Sequence, residues 1–354
     1  MKASPLHLAW CLAVCACACA DTQAQSNVTV YGLVDMNVGW TSNLARDGSN
    51  TLRVNSGGMN TSRLGFLGSE DLGGGTKALF QLEMGIAADT GVADNPLFKR
   101  QATVGLAGRW GTVLVGRAFT TVYDFVLPYD PMGYAPMYSW APTGNASGAS
   151  KYGMALAFDN MIKYTGKVGN VGFGASYGAG EQASLGDGAR GAVAASYAAG
   201  PVSMVATYER INGTPAAGAG VHDVTTAWHV GAMVDTGRLK LQAAMRDYRL
   251  APAGTGPDVR ARLYWGGANW LVTPVLTATG AVYYQDVRNV PHGTDADPVM
   301  VVGRLRYALS KRTDLYLTGA YARARHGQPV SLARDEAGFG TTQRSVLAGM
   351  QHRF

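Results

Sequence analysis

The sequence predicts an all-β fold: a transmembrane antiparallel β-barrel of about 16 strands, with a long third loop folded into its lumen. Three observations point to a barrel. Apolar and polar residues alternate with period two in windows of about ten residues, the signature of a strand between two different solvents. The segments are separated by connectors that are short and long in strict turn. Beyond the first residues, no apolar run approaches the ~20 positions that a membrane helix requires.

The first 24 residues, "MKASPLHLAWCLAVCACACADTQA", stand apart from that pattern. A lysine near the start, an apolar stretch from Leu6 to Ala20 and small residues at Thr22-Gln23-Ala24 read as a secretory signal peptide, 1–24. Ala18-Cys19-Ala20 is a second possible cut. Lipoprotein processing is a third reading, although no convincing lipobox precedes any of the cysteines. All four cysteines, Cys11, Cys15, Cys17 and Cys19, lie in this segment. The expected mature domain, 25–354, therefore has no thiol for a disulfide, a zinc site or a nucleophile. Charged residues are 15% of the chain, 47 residues are glycine, and the formal charge of +6 is scattered rather than clustered. Nothing in that distribution suggests nucleic acid.

Within the mature chain, "VTVYGLVDMNV" puts Val28, Val30, Val34, Met36 and Val38 on one face and Thr29, Tyr31, Asp35 and Asn37 on the other. "TKALFQLEM" sets Ala78, Phe80, Leu82 and Met84 against Lys77, Gln81 and Glu83. "LKLQAAMR" and "VMVVGRLRY" repeat the arrangement, the second with Arg304 and Arg306 on the polar side. Sixteen such segments begin near Asn27, Asn60, Thr76, Phe98, Trp110, Leu156, Val171, Arg190, Val202, Val224, Arg238, Val259, Val275, Pro298, Thr313 and Gln343. Seven short links, among them "EDLGGG", "AGRWG" and "LSKRT", alternate with eight longer ones. The last segment, "SVLAGMQHRF", ends on the bare ring of Phe354, with Val346, Ala348, Met350 and His352 on the same face.

An open sheet of this size in water would carry two free edges and one large apolar face, both routes to aggregation. Closure removes the edges, and lipid accounts for the apolar exterior. In hydrocarbon every backbone donor and acceptor must be paired within the protein, which leaves the closed barrel as the β solution. Its polar interior then requires water. A soluble β-solenoid would show a regular repeat and a β-sandwich would need several domains with linkers; the sequence has neither.

The segments "SRLGFLGSEDLGGGTKALFQLEMGI", "FKRQATVGLAGRWGTVLVGRAFTTVYDF" and "DNMIKYTGKVGNVGFGASYGAGEQ", with "SNVTVYGLVD" at the start and "GMQHRF" at the end, together resemble the general diffusion porins of Gram-negative outer membranes. The likeness spans nearly the whole mature chain. It implies a sixteen-stranded homotrimer in the cell outer membrane, passing small hydrophilic solutes and ions. Lipid and lipopolysaccharide would surround it and the barrel assembly machinery would insert it. The resemblance makes about 118–150 the constriction loop, with Asp124 and Asp130 facing a basic wall of Arg63, Arg100 and Arg117. Simple alternation from Val113 and Val115, however, turns Arg117 outward. The family commonly has a further wall arginine where this chain has "MALAFDN", and Lys151 or Lys163 could compensate. Phe354 resembles the terminal assembly signal, although His352 and Leu347 depart from its pattern.

Alternation makes Arg63, Lys77, Lys163, Lys240, Arg246, Arg262, Arg304 and Arg306 inward bases. It makes Asp35, Glu83, Asp159, Glu209 and Asp314 inward acids. The excess of bases predicts weak anion selectivity. Tyr123, Tyr129, Tyr134 and Tyr138 read better as loop packing than as a sugar slide. No histidine sits in a nucleophile or metal motif, no G-x-S-x-G or H-E-x-x-H occurs, and no cofactor is expected. A substrate-specific channel is the alternative function, and a barrel enzyme a more distant one.

Overall fold

The computed structural model describes residues 27–142, 145–147, 150–215, 221–291 and 293–354. The expected signal peptide lies outside them. Sixteen strands form the wall: β1 Asn27–Thr41, β2 Arg63–Gly73, β3 Thr76–Ala87, β4 Gln101–Gly108, β5 Gly111–Phe119, β6 Ala157–Val168, β7 Val171–Gly178, β8 Arg190–Ala199, β9 Val202–Asn212, β10 Val224–Asp235, β11 Leu239–Ala251, β12 Val259–Thr273, β13 Leu276–Arg288, β14 Val299–Ala308, β15 Thr313–Arg323 and β16 Thr342–Arg353. Each pairs antiparallel with the next. Thr41↔Ser345 through Leu33↔Arg353 closes β1 on β16. Among the described residues each of the sixteen wall strands has a partner on both sides, which is the condition a hydrocarbon solvent imposes.

Closure is finished by the last residue. The Gly32 N–H donates to the Phe354 carbonyl at 3.1 Å and the Phe354 N–H donates to the Gly32 carbonyl at 3.1 Å. A Cβ at residue 32 would clash with the edge of the Phe354 ring and lie 2.9 Å from the Arg63 carbonyl oxygen, so glycine is what lets that ring lie across β1. Val346, Met350 and Phe354 are exposed on the outer side, while Ser345, Leu347 and Gln351 are buried on the inner side. The alternation read from the sequence holds here residue by residue.

The first ladder is interrupted. Met36 pairs with Ser56 of a short strand, Thr51–Ser56, whereas Leu33 pairs with Arg63 of β2. Residues 57–62 thus oppose only Val34 and Asp35, and they leave the sheet on its inner side. The N–H groups of Gly58, Met59 and Asn60 donate to the Asp35 carboxylate at 3.0, 2.9 and 2.8 Å. This insertion is why β2 starts at Arg63 rather than near Asn60.

A barrel with water inside has no conventional core. The main buried apolar cluster instead joins the connector between β5 and β6 to the wall: Val122, Val126, Met132, Tyr134 and Trp140 of the connector meet Phe158, Leu263, Trp265, Tyr283 and Met300 of the strands.

Candidate functional site: the third loop and the wall it meets

The connector leaves β5 through a short helix, α1 Thr121–Val126, capped where the Thr120 side chain accepts from the Tyr123 N–H at 3.1 Å. A 3-10 turn, Leu127–Tyr129, follows, with a proline near its start. Asp130-Pro131-Met132-Gly133 then turns the chain. Asp130 accepts from the N–H of Met132 at 3.3 Å and of Tyr134 at 2.7 Å, an Asx turn in which one carboxylate replaces the missing backbone acceptors.

Side chains on the polar face of β11, β12 and β13 fasten this loop by donating to its carbonyls. Gln242 donates to Pro128 O at 2.8 Å, Trp265 Nε1 to Tyr129 O at 3.0 Å and Asn269 to Pro131 O at 3.2 Å. Arg246 donates to Ala141 O, and Tyr283 donates its hydroxyl to Asp130. From the connector between β15 and β16, Ser331 O accepts from Trp140 Nε1 at 3.1 Å. Tyr129, Tyr134 and Tyr138 are all buried, with Tyr138 donating to Ser345. The tyrosines therefore pack the loop against the wall, as the sequence reading favoured.

The opposite side of the loop meets charge. Arg100 Nε donates to Glu83 at 2.7 Å and its guanidinium lies 5.1 Å above the Phe119 ring. Arg63 shares that carboxylate, its Nε 3.7 Å from Glu83. Lys163 of β6 donates to Phe119 O at 2.8 Å and pairs with Asp124 of α1. Burial raises the Asp124 carboxyl above its ordinary 3.8, with the Lys163 charge pulling it back.

Several sequence expectations fall elsewhere. Asp130 does not face a basic wall: it is 2% exposed, its oxygens accepting from Tyr283, Ser139 and the loop's own N–H groups. Arg117 points outward, as alternation required, and pairs there with Asp159. Asp159 was expected inward. A bulge between Phe158 and Met161, with Asn160 at a φ of 51°, inserts a residue and reverses its side. Arg262 is also outward, because the inner side of β12 carries Leu263 and Trp265, and it pairs with Asp247 at 2.7 Å. Lys77 keeps the face of Gln81 and Glu83, exposed at the strand end beside the tight β2–β3 turn.

Asp35, Glu209 and Asp314 lie inward, but at 0%, 0% and 3% exposure they are sealed off from the lumen. Arg304 and Arg306, with Lys240, Arg238 and Arg353, line a cavity of about 550 Å³ beneath the loop, with Asp235 as its one lining acid. Sequence reasoning missed the fastening role of Gln242, Trp265, Asn269 and Tyr283. Only the Asp-Pro-x-Gly turn chemistry could have marked Asp130 as structural.

The family model for Gram-negative porins matches residues 9–327 of this chain. Among curated relatives, Outer membrane porin protein 32 of Delftia acidovorans is 31% identical over 346 residues, covering 94% of this chain and 95% of that one. An outer membrane porin protein of Bordetella pertussis is 27% identical over 365 residues, covering 88% and 92%. Among solved structures, the anion-selective porin from Comamonas acidovorans superposes with a TM-score of 0.81 at 27% identity, covering 93% of this chain and 100% of that one. With a closed sixteen-stranded barrel, an apolar exterior and a hydrated interior, the chain belongs to the Gram-negative porin family and is a channel protein of the outer membrane rather than an enzyme.

Proposed function

We propose that this porin is a general diffusion channel with a mild preference for anions, its aperture set by the third loop. The observation that carries the preference is the unequal burial of inner charge. The inner-face acids Asp35, Glu83, Glu209 and Asp314 are buried, as are Lys163 and Arg246, whereas the cavity beneath the loop is lined by Arg238, Lys240, Arg304, Arg306 and Arg353 against Asp235. Water-exposed fixed charge, rather than total charge, sets the potential that a hydrated ion meets. The anion selectivity named for the Comamonas acidovorans structure supports the same reading.

In this reading the loop narrows the lumen from the β11–β13 side, leaving Arg63 and Arg100 across from it, while Asp124, the loop's own acid, is held by Lys163. Three copies assemble, the eight long connectors face the outside, and outer-leaflet lipid and lipopolysaccharide surround the trimer. Residues 1–24 direct export, and Phe354 is the label read by the barrel assembly machinery. Recording in planar bilayers tests the function. The expected result is stepwise conductance in groups of three, with a reversal potential in a salt gradient that favours anions, reduced in Arg63→Gln/Arg100→Gln. A cation-favouring reversal potential refutes the selectivity. Saturable block by a single sugar would favour a substrate-specific channel.

A further inference from the structure

The strand register places an ordered band of charge on the outside of the barrel. On β9 to β13, Arg210 pairs with Thr226, Thr226 with Arg249, Arg249 with Arg260 and Arg260 with Arg288. These residues lie on the same outer face as the exposed Tyr208, Trp228, Tyr264 and Tyr284. One step toward the barrel's middle, the corresponding row reads Tyr208, Trp228, Asp247, Arg262, Asp286. The next reads Ala206, Val230, Met245, Tyr264, Tyr284, the last two rings stacked at 6.4 Å. Arginines, then mixed charge with aromatics, then apolar residues: this is a membrane boundary written in the register.

Two features exceed what a boundary requires. Arginines sit directly opposite arginines at Arg249↔Arg260 and Arg260↔Arg288, an arrangement that costs stability unless an anion lies between them. The available acids do not neutralise the group. Asp258 is shared by Arg249 at 2.6 Å and Arg260 at 3.4 Å, Asp247 takes Arg262 and Asp286 takes Arg288, so five arginines face three aspartates. Arg249, Arg260 and Arg288 keep about half of their side-chain surface open, at 51%, 52% and 49%. Directly beneath, an apolar furrow of about 820 Å³ runs down the same strands between Tyr197, Met204, Val230, Ala243, Met245 and Tyr264. Small residues at Ala206, Ala232 and Ala243 form its floor.

We infer that this face is a binding site for a phosphorylated glycolipid of the outer leaflet, its phosphate held by the Arg210–Arg249–Arg260–Arg288 row and an acyl chain lying in the furrow. Guanidinium forks suit phosphate oxygens, and a doubly charged phosphate balances the net excess of two arginines. Because bulk lipid tails already surround the barrel, the furrow contributes shape selection rather than hydrophobic gain, and the arginines supply the affinity. The inference rests on the orientation proposed above, with the long connectors outward.

The test uses the purified full barrel in detergent, titrated with lipid A, dephosphorylated lipid A and the deacylated phosphosugar, with retained lipid read by native mass spectrometry. Lipid A should bind and weaken as salt rises, and Arg210→Gln/Arg249→Gln/Arg260→Gln/Arg288→Gln should weaken it by at least about tenfold. Ala243→Trp, which fills the furrow, should reduce binding of lipid A while leaving the phosphosugar unaffected. Equal retention of lipid A by wild type and the quadruple variant overturns the site, as does equal retention of dephosphorylated lipid. Loss of oligomers in the quadruple variant, with lipid binding unchanged, would make the face a subunit contact and overturn it too. Conductance is recorded on the same preparations. A conducting channel that ignores lipid A defeats only this inference, whereas a barrel that never conducts defeats the channel reading beneath it.

Discussion

The two sides of the third loop use the same kinds of residue for opposite ends. Toward β11–β13, Arg246 is fully buried and donates to a loop carbonyl, and Asp130 is sealed among four donors. Toward β2–β6, Arg63, Arg100 and Lys163 pair with Glu83 and Asp124. The first side is a fastening and the second is a field. The difference is not residue type but how many backbone carbonyls and N–H groups the loop brings to each wall. Where the loop leaves its own backbone unpaired, the wall's polar groups are drawn into satisfying it. Where α1 satisfies its own backbone, Arg63 and Arg100 are left to share the Glu83 carboxylate, the arrangement that the proposed channel reading makes its field.

Removing the fastening gives the largest expected effect. In Asp130→Ala, the Tyr283 hydroxyl, the Ser139 hydroxyl and the N–H groups of Met132 and Tyr134 all lose their acceptor, at roughly 1–3 kcal/mol for each buried donor left unpaired. The loop should detach from the wall while the strand ladders persist. Single-channel recording should show a larger and noisier conductance, and heat-modified mobility of the barrel should barely change. Tyr283→Phe removes one donor of the four and should produce a smaller version of the same change. Wild-type conductance in Asp130→Ala would mean that the fastening does not set the aperture.

Perturbing the field gives a graded effect. The Asp124 carboxyl is raised above 3.8 by burial, so as pH falls it accepts a proton earlier than a free aspartate does. Its neutral form leaves the Lys163 ammonium uncompensated. Anion preference should therefore increase between pH 7 and pH 4, by roughly a factor of two in permeability ratio at moderate salt and less as salt rises. Asp124→Asn should display the raised preference already at pH 7 and should lose the pH dependence over that range. Parallel pH curves for the variant and the wild type would show that another group governs the change.

Most of the wall was legible because a period of two leaves a strong trace. Every expected strand start lies within three residues of the observed one. The largest displacements are at β2 and β4, and for β2 the reason is visible: residues 57–62 leave the ladder to cap Asp35. The candidate site was less legible, for two physical reasons. Alternation fails by one side wherever a bulge inserts a residue, as at Asn160, and it then misplaces every charge between the bulge and the strand end, here Asp159. Alternation also assigns a face but not a depth. Asp35, Glu209 and Arg246 are inward as read, yet connectors whose paths the strand pattern does not encode cover them, residues 57–62 over Asp35 and the β5–β6 connector over the other two. Arg262 failed differently: its strand was read in the wrong phase, and the buried Leu263 and Trp265 beside it set the phase observed.

The smallest expected effect separates motif from geometry. Arg117 occupies a position where the family resemblance suggests a constriction base, yet Val115 beside it on the same face is exposed and its cross-strand partner, Ala102, lies on the face of Val104 and Leu106. Its partner Asp159 is itself 55% exposed, and exposed pairs of this kind contribute only ~0.2–1 kcal/mol. Arg117→Gln should therefore leave conductance and reversal potential at wild-type values in the same bilayer recordings that register Arg63→Gln/Arg100→Gln, with at most a slight loss of thermal stability. If Arg117→Gln shifted the reversal potential as far as the double variant does, the guanidinium would have to reach the lumen, and the division of the third loop's surroundings into a fastening side and a field side would need redrawing around β5.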